Sequence, residues 1–195
     1  MLTKNEKKVI RILLFSFGEE YSINEIARKC NLAPNGALKI LRKFAKEGII
    51  ILKKIANIST YTINFNNSQT KSILELSLIQ EGNNRVKNRF EDLYSLQEIT
   101  EAGIIFGSYT TEKQNPEDID LLFVLKKDNF RKYKEETKKI FPIMPVKVHD
   151  VLQTKEDLKA NIFKKDKVII EILRKGVILW GHEKIIEVIK NGYSK

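Results

Sequence analysis

A single cysteine, Cys30, among 195 residues excludes a disulfide framework. No cluster with zinc-ligand spacing accompanies it, and the residue reads as a small core side chain of a helix. No apolar run approaches the roughly 20 residues that a membrane span needs. The segment from Met1 to Arg11 is charged and lacks the apolar centre of a signal peptide. There is no internal repeat and no low-complexity tract. The expectation is a soluble, cytoplasmic protein of one large or two small domains, with no membrane partner. With 42% hydrophobic residues the chain is long enough to bury a core.

Charge is present in excess and is unevenly spread. The net charge is +10. Residues 1–66 carry 12 Lys/Arg against 5 Asp/Glu, whereas residues 67–195 carry 23 against 20. A basic excess in the first third suggests nucleic-acid contact there.

That first third has a regular order. Residues 4–17 read as a helix with Val9, Ile10, Ile12, Leu13 and Leu14 on its apolar side, ended by Gly18. Ser22 precedes Glu25 by three, the spacing of a capping box, and opens a second helix from Ile23 to Cys30. Pro34 suits the first turn of a third helix that runs to about Glu47. Residues 49–55 and 59–65 are β-rich and read as a hairpin around residues 56–58. On the third helix Ala37, Ile40, Leu41 and Phe44 form a core stripe. Lys39, Arg42, Lys43 and Lys46 recur at i, i+3, i+4 and i+7 on another face. Asn35 and Gly36, at the start of that helix, would approach base edges while the basic side chains approach phosphates. Lys53 and Lys54 lie where a wing would touch the backbone.

The segment from Ser22 to Leu32, together with Phe44-Ala45-Lys46-Glu47-Gly48-Ile49-Ile50, resembles the winged helix-turn-helix of bacterial and archaeal regulators over residues 3–66. Phe44 stands where a leucine is usual. The resemblance implies a double-stranded DNA partner, read through Asn35, Lys39, Arg42, Lys43, Lys46 and Lys53. Residues 67–97 read as a helical connector, with Ile73, Leu76, Ile79, Val86, Phe90 and Leu93 recurring at threes, fours and sevens around Gly82-Asn83-Asn84. It would pack on the second domain or form the seam of a homodimer.

The second half, residues 98–195, holds the residues that carry chemistry. An apolar strand, Ala102 to Phe106, ends on Gly107-Ser108. After nine intervening residues comes Asp118-Ile119-Asp120-Leu121, which opens a buried-looking strand. Residues i and i+2 of a strand share a face, so Asp118 and Asp120 converge. Two carboxylates that close repel unless a cation neutralises them. A hard ion such as Mg²⁺ or Mn²⁺ accepts such oxygens and brings nucleotide phosphates with it. Gly107 offers a close-approaching backbone and Ser108 a hydroxyl for those phosphates. Metal and phosphate cradle together are the apparatus of in-line phosphoryl or nucleotidyl transfer.

This block resembles the DNA polymerase beta-like nucleotidyltransferases, above all their minimal archaeal and bacterial members, over roughly residues 95–191. Ile169 to Gly181 is similar to their closing helix, glycine, strand and glycine. The resemblance implies an α+β chain: a winged helix-turn-helix, a helical connector, then a mixed β-sheet with flanking helices. It implies an NTP substrate, Asp118 and Asp120 as metal ligands, and Gly107 and Ser108 at the nucleotide. Some such proteins are antitoxins that transfer AMP to a partner toxin, so a protein acceptor is implied as well. A third acidic residue on a later strand completes the site in active members. Here that strand spans Pro145 to Leu152, and Asp150 is its only carboxylate. Strand parity places Val146, Val148, Asp150 and Leu152 on one face, and Lys147, His149 and Val151 on the other. If the first face looks inward, Asp150 is the catalytic base. If the second does, Lys147 or His149 takes its place.

Two functions follow. The first is an Mg-dependent enzyme transferring a nucleoside monophosphate from an NTP to a hydroxyl. The second is a transcriptional regulator whose nucleotidyltransferase-like domain is a non-catalytic sensor or dimerisation module. Lys113 reads as a solvated loop residue, Trp180 as core, and His182 as the start of the last helix.

Overall fold

The computed structural model describes residues 1–55, 58–79, 84–111 and 116–193. It divides into two compact units, one formed mainly by Met1–Ile79 and the other by Gln80–Gly192.

In the first unit α1 spans Lys4–Leu14, α2 Ile23–Cys30 and α3 Pro34–Lys46. Capping boxes open the first two, Thr3 with Glu6 and Ser22 with Glu25. Each satisfies two backbone N–H groups that a helix start leaves without partners. The first helix stops three residues short of Phe17, where Phe17 and Gly18 both turn to positive φ. After Gly48, at φ +71°, the chain enters β1 (Ile50–Ile55), which pairs antiparallel with β2 (Ile58–Ile63). Val9, Ile10, Leu13, Ile26, Ala37, Leu41 and Phe44 are fully buried. Ile40, expected in the core stripe, is only half-buried.

A fourth helix, α4 (Thr70–Leu78), packs against α1. Its buried face is Thr70, Leu74, Ser77 and Leu78, whereas Leu76 and Ile79 are exposed. The expected stripe of Ile73, Leu76 and Ile79 is therefore out of phase by a residue. Leu74 and Leu78, one turn apart, meet the neighbouring helix instead. The stretch expected as a connector also divides, because α5 (Asn84–Asp92) lies in the second unit. Gly82 and Asn83 lie outside the described residues.

The second unit is built on β3 (Ala102–Phe106), β4 (Asp118–Val124), β5 (Lys147–Gln153) and β6 (Val177–Trp180), in the order β5-β4-β3-β6. The sheet is mixed: β4 and β5 run parallel, and β3 is antiparallel to both β4 and β6. A parallel pair needs a long crossover, supplied by α6 (Phe130–Ile140). Then come α7 (Lys155–Phe163), α8 (Lys167–Lys175) and α9 (His182–Tyr193). Strand alternation on β4 sends Ile119, Leu121 and Phe123 into a core with Leu93, Leu96, Tyr133 and Trp180. Phe123 packs on Tyr133 and Trp180 with ring centroids 5.4 and 5.9 Å apart. Trp180 is core, as expected, and donates its indole N–H to Thr100 Oγ1 at 3.0 Å. Among the described residues, no helix is long and apolar enough to cross a membrane.

Candidate active site

The other face of β4 carries Asp118 and Asp120, with the buried Leu122 and Val124 beyond them. The two carboxylates stand at the strand start, where their side chains keep 42% and 29% exposure, enough to meet a ligand from solution. On the neighbouring strand Phe106 is paired with Asp120, so the turn that follows Phe106 is delivered next to the acidic pair. That turn is a 3-10 helix, Gly107–Thr110.

Gly107 sits at φ +70°, and a Cβ there would collide with Asp120 Oδ2. Glycine thus serves two needs, a left-handed backbone and a carboxylate lying against it. Ser108 follows. Its Oγ is buried and has no hydrogen-bond partner among the described residues. A buried hydroxyl left in this way costs free energy unless water or a ligand satisfies it. Thr110 and Thr111 lock the turn by donating their hydroxyls to Gly107 O (3.0 Å) and Ser108 O (2.8 Å). Lys113 lies outside the described residues.

The parity question on β5 has a definite answer. Partners across a parallel ladder share a face, and the register sets Lys147 beside Asp118, His149 beside Asp120, and Asp150 beside Leu121. His149 Nδ1 lies 3.7 Å from Asp118 Oδ2 and 3.6 Å from Asp120 Oδ1. These contacts are ion pairs only when the imidazole is protonated.

Asp150 points to the opposite face. It accepts a hydrogen bond from the Tyr133 phenol at 2.9 Å and has Lys134 Nζ at 3.9 Å. Burial, reinforced by the Asp150 charge and this hydrogen bond, raises the Tyr133 phenol above its ordinary pKa and keeps it the donor. The expectation that Asp150 completes the acid triad is thereby corrected. The reason is the period of two in a strand: one residue of register sends the third carboxylate to α6 and puts an imidazole in its place. Tyr133 was not singled out from the sequence, although Tyr133 and Thr137 bury at the i, i+4 spacing of a core-facing helix stripe.

Among the described residues, no three histidine, cysteine or carboxylate side chains stand assembled as a chelate. The donor set instead fits a hard cation held by Asp118 and Asp120 and completed by phosphate oxygens and water, the usual habit of Mg²⁺. The unsatisfied Ser108 hydroxyl and the glycine-cleared approach at Gly107 are what a phosphate chain beside that cation would use.

In the first unit Asn35, Gly36, Lys39, Arg42, Lys43 and Lys46 are all exposed on α3. Lys43 is not free: its Nζ lies 2.7 Å from Glu6 Oε1. Lys53, on β1, lies 3.9 Å from Glu20 Oε1. Cys30 is buried, which pushes its thiol up to about 11 and makes it a poor nucleophile at neutral pH.

Comparison of the chain with curated proteins and with solved structures found no match. Residues 88–175, the stretch that brings Gly107, Ser108, Asp118 and Asp120 together, match the family model described as Polymerase beta, Nucleotidyltransferase, which supports a nucleotidyltransferase domain there.

Proposed function

We propose that the second unit transfers a nucleoside monophosphate from an NTP to a hydroxyl acceptor with Mg²⁺ or Mn²⁺. The observation that carries this reading is the apposition of Gly107 to Asp120, with the buried Ser108 hydroxyl, unpartnered among the described residues, next in the chain. Asp118 and Asp120 hold the cation. Gly107 and Ser108 hold the phosphates beyond the bond that breaks. Bound there, a divalent ion neutralises charge on the phosphate oxygens. The acceptor hydroxyl must lose a proton as it attacks the α-phosphate, and pyrophosphate leaves. His149, whose Nδ1 lies 3.6 to 3.7 Å from the acidic pair on this face, is the side chain placed to receive that proton.

Transfer of label from α-labelled NTP in Mg²⁺, with Asp118→Ala as control, tests the reading. Label carried to protein, nucleic acid or small hydroxyl compounds supports it. No transfer from any of the four NTPs to any of these acceptors, in Mg²⁺ or Mn²⁺, would refute it.

A second reading has its own observation. With Asp150 turned to Tyr133, the site has two carboxylates and an imidazole rather than three carboxylates. A domain of that kind can bind nucleotide without turning it over, as a sensor. NTP binding with unchanged nucleotide after prolonged incubation would favour it.

For the first unit we propose a winged helix-turn-helix that binds double-stranded DNA. What supports it is the order of three helices and a hairpin, with Asn35, Lys39, Arg42 and Lys46 exposed along α3. Lys53 would reach the backbone from the hairpin. Affinity for DNA upstream of the protein's own gene should fall steeply as salt rises. Unchanged affinity after Arg42→Glu would exclude this face.

A further inference from the structure

A cavity of about 610 Å³ opens beside Gly107, lined by Phe106, Thr110 and Thr111 on one side and by Val168, Ile172 and Lys175 of α8 on the other. Its volume lies within the range of small-molecule sites. Three features fix what it can take. First, it continues the phosphate cradle, since Gly107 belongs to both. Second, its wall is mainly apolar, which suits a flat ring and not a second phosphate: Phe106, Val168 and Ile172 offer hydrocarbon. Third, polar groups sit at its edge. Glu171 and Lys175, one turn apart on α8, form an exposed ion pair at 2.7 Å. An acceptor and a donor side by side can meet the hydrogen-bonding edge of a base.

Val168 is 65% exposed although it faces this cavity at the start of α8, where an amphipathic helix would ordinarily carry a polar side chain. A ring seated against it would cover that hydrocarbon.

We propose that this cavity seats the nucleoside of the NTP, with Val168 and Ile172 against the base and the Glu171–Lys175 pair at its polar edge. The proposal rests on the nucleotidyltransferase reading, because only there do Gly107 and Ser108 hold the phosphates. It adds that α8 contributes affinity which the phosphate chain alone does not have. It also makes α8, not the acidic pair, the element that chooses among bases.

The test separates the two ideas. Binding of each of the four NTPs and of inorganic tripolyphosphate to the full chain is measured by calorimetry in Mg²⁺. The best NTP should bind at least about tenfold tighter than tripolyphosphate. Val168→Gln removes apolar wall without adding charge at an exposed position, so folding is not at risk. It should weaken the best NTP about fivefold and leave tripolyphosphate unchanged. Irradiation with 8-azidoadenosine triphosphate should place the crosslink within residues 167–175. Equal affinity for tripolyphosphate and every NTP, no effect of Val168→Gln, or a crosslink away from α8 overturns the nucleoside site while the phosphate cradle survives. Failure of tripolyphosphate and all NTPs to bind overturns the cradle and the nucleoside site together.

Discussion

The chain carries two charged faces of opposite sign, and they are assembled by different rules. On α3, Lys39, Arg42 and Lys46 line up because 3.6 residues per turn bring i, i+3 and i+7 to one side. One stretch of 13 residues is sufficient to make that face. On the sheet, Asp118 and Asp120 also align by local period, but the third side chain comes from β5, whose register is set by hydrogen bonds to β4. A helix face is a property of one segment. A strand site is a property of a pairing, and a slip of one residue would exchange His149 for Asp150.

The strongest test of that contrast is on the two faces of the sheet. Asp120→Asn should lower nucleotidyl transfer by about a thousandfold, or about 4 kcal/mol in barrier, with the melting temperature little changed because the side chain is partly exposed. Asp150→Asn should lower it by less than about fivefold, because that carboxylate serves Tyr133 and not the reacting groups. Equal losses in the two variants would mean that β5 pairs in the other register in solution.

A second test restores what parity removed. His149→Asp sets a third carboxylate beside Asp120. A hard cation gains an oxygen donor, so Mn²⁺ should bind about tenfold tighter by calorimetry. The companion change Lys147→Asp, beside Asp118, should give a smaller gain, since His149 lies within 4 Å of both carboxylates. No gain from His149→Asp would place that side chain outside the cation's reach.

What the sequence made legible follows the same division. The Ser22–Glu25 capping box, the third helix and the hairpin were readable because each depends on neighbours within a few residues. Gly107, Ser108, Asp118 and Asp120 were readable because a turn and a strand period place them. Two things were not. The inward face of β5 depends on which residue pairs with Asp120, and the alternation Val146, Val148, Asp150, Leu152 reads equally well either way round. The buried side of α4 could not be phased, because Ile73, Leu74, Leu76, Leu78 and Ile79 offer apolar residues on most of its circumference, and only the packing on α1 selects Leu74 and Leu78.

The link that holds β5 in place should show in stability rather than chemistry. Tyr133 is fully buried, and its hydroxyl has Asp150 as partner. Tyr133→Phe keeps the ring against Phe123 and removes one hydrogen bond to a carboxylate, at a cost of about 1.5–3 kcal/mol. Chemical denaturation measures it. A neutral result would mean that water replaces the phenol without loss.

The smallest effect lies on α3, and it distinguishes residues that share one stripe. Arg42 is exposed, whereas Lys43 is held by Glu6. Burial works to raise the Glu6 carboxyl, but the Lys43 ammonium and the Thr3 cap outweigh it and keep the group below its ordinary pKa. A carboxylate held low stabilises the folded state above its unfolded pKa, and that contribution is lost as pH falls through the folded value. So Glu6→Gln should narrow the stability gap to the parent chain on acidification below about pH 4. It keeps the helix cap, because glutamine can serve the same N–H. It also releases Lys43. On DNA, Arg42→Ala should therefore cost more than Lys43→Ala, and Glu6→Gln should tighten binding about threefold, with the salt slope steepened by about one phosphate contact. If Lys43→Ala costs as much as Arg42→Ala in the parent chain, the ion pair with Glu6 yields to phosphate, and the whole stripe reads DNA as the helical period alone would have it.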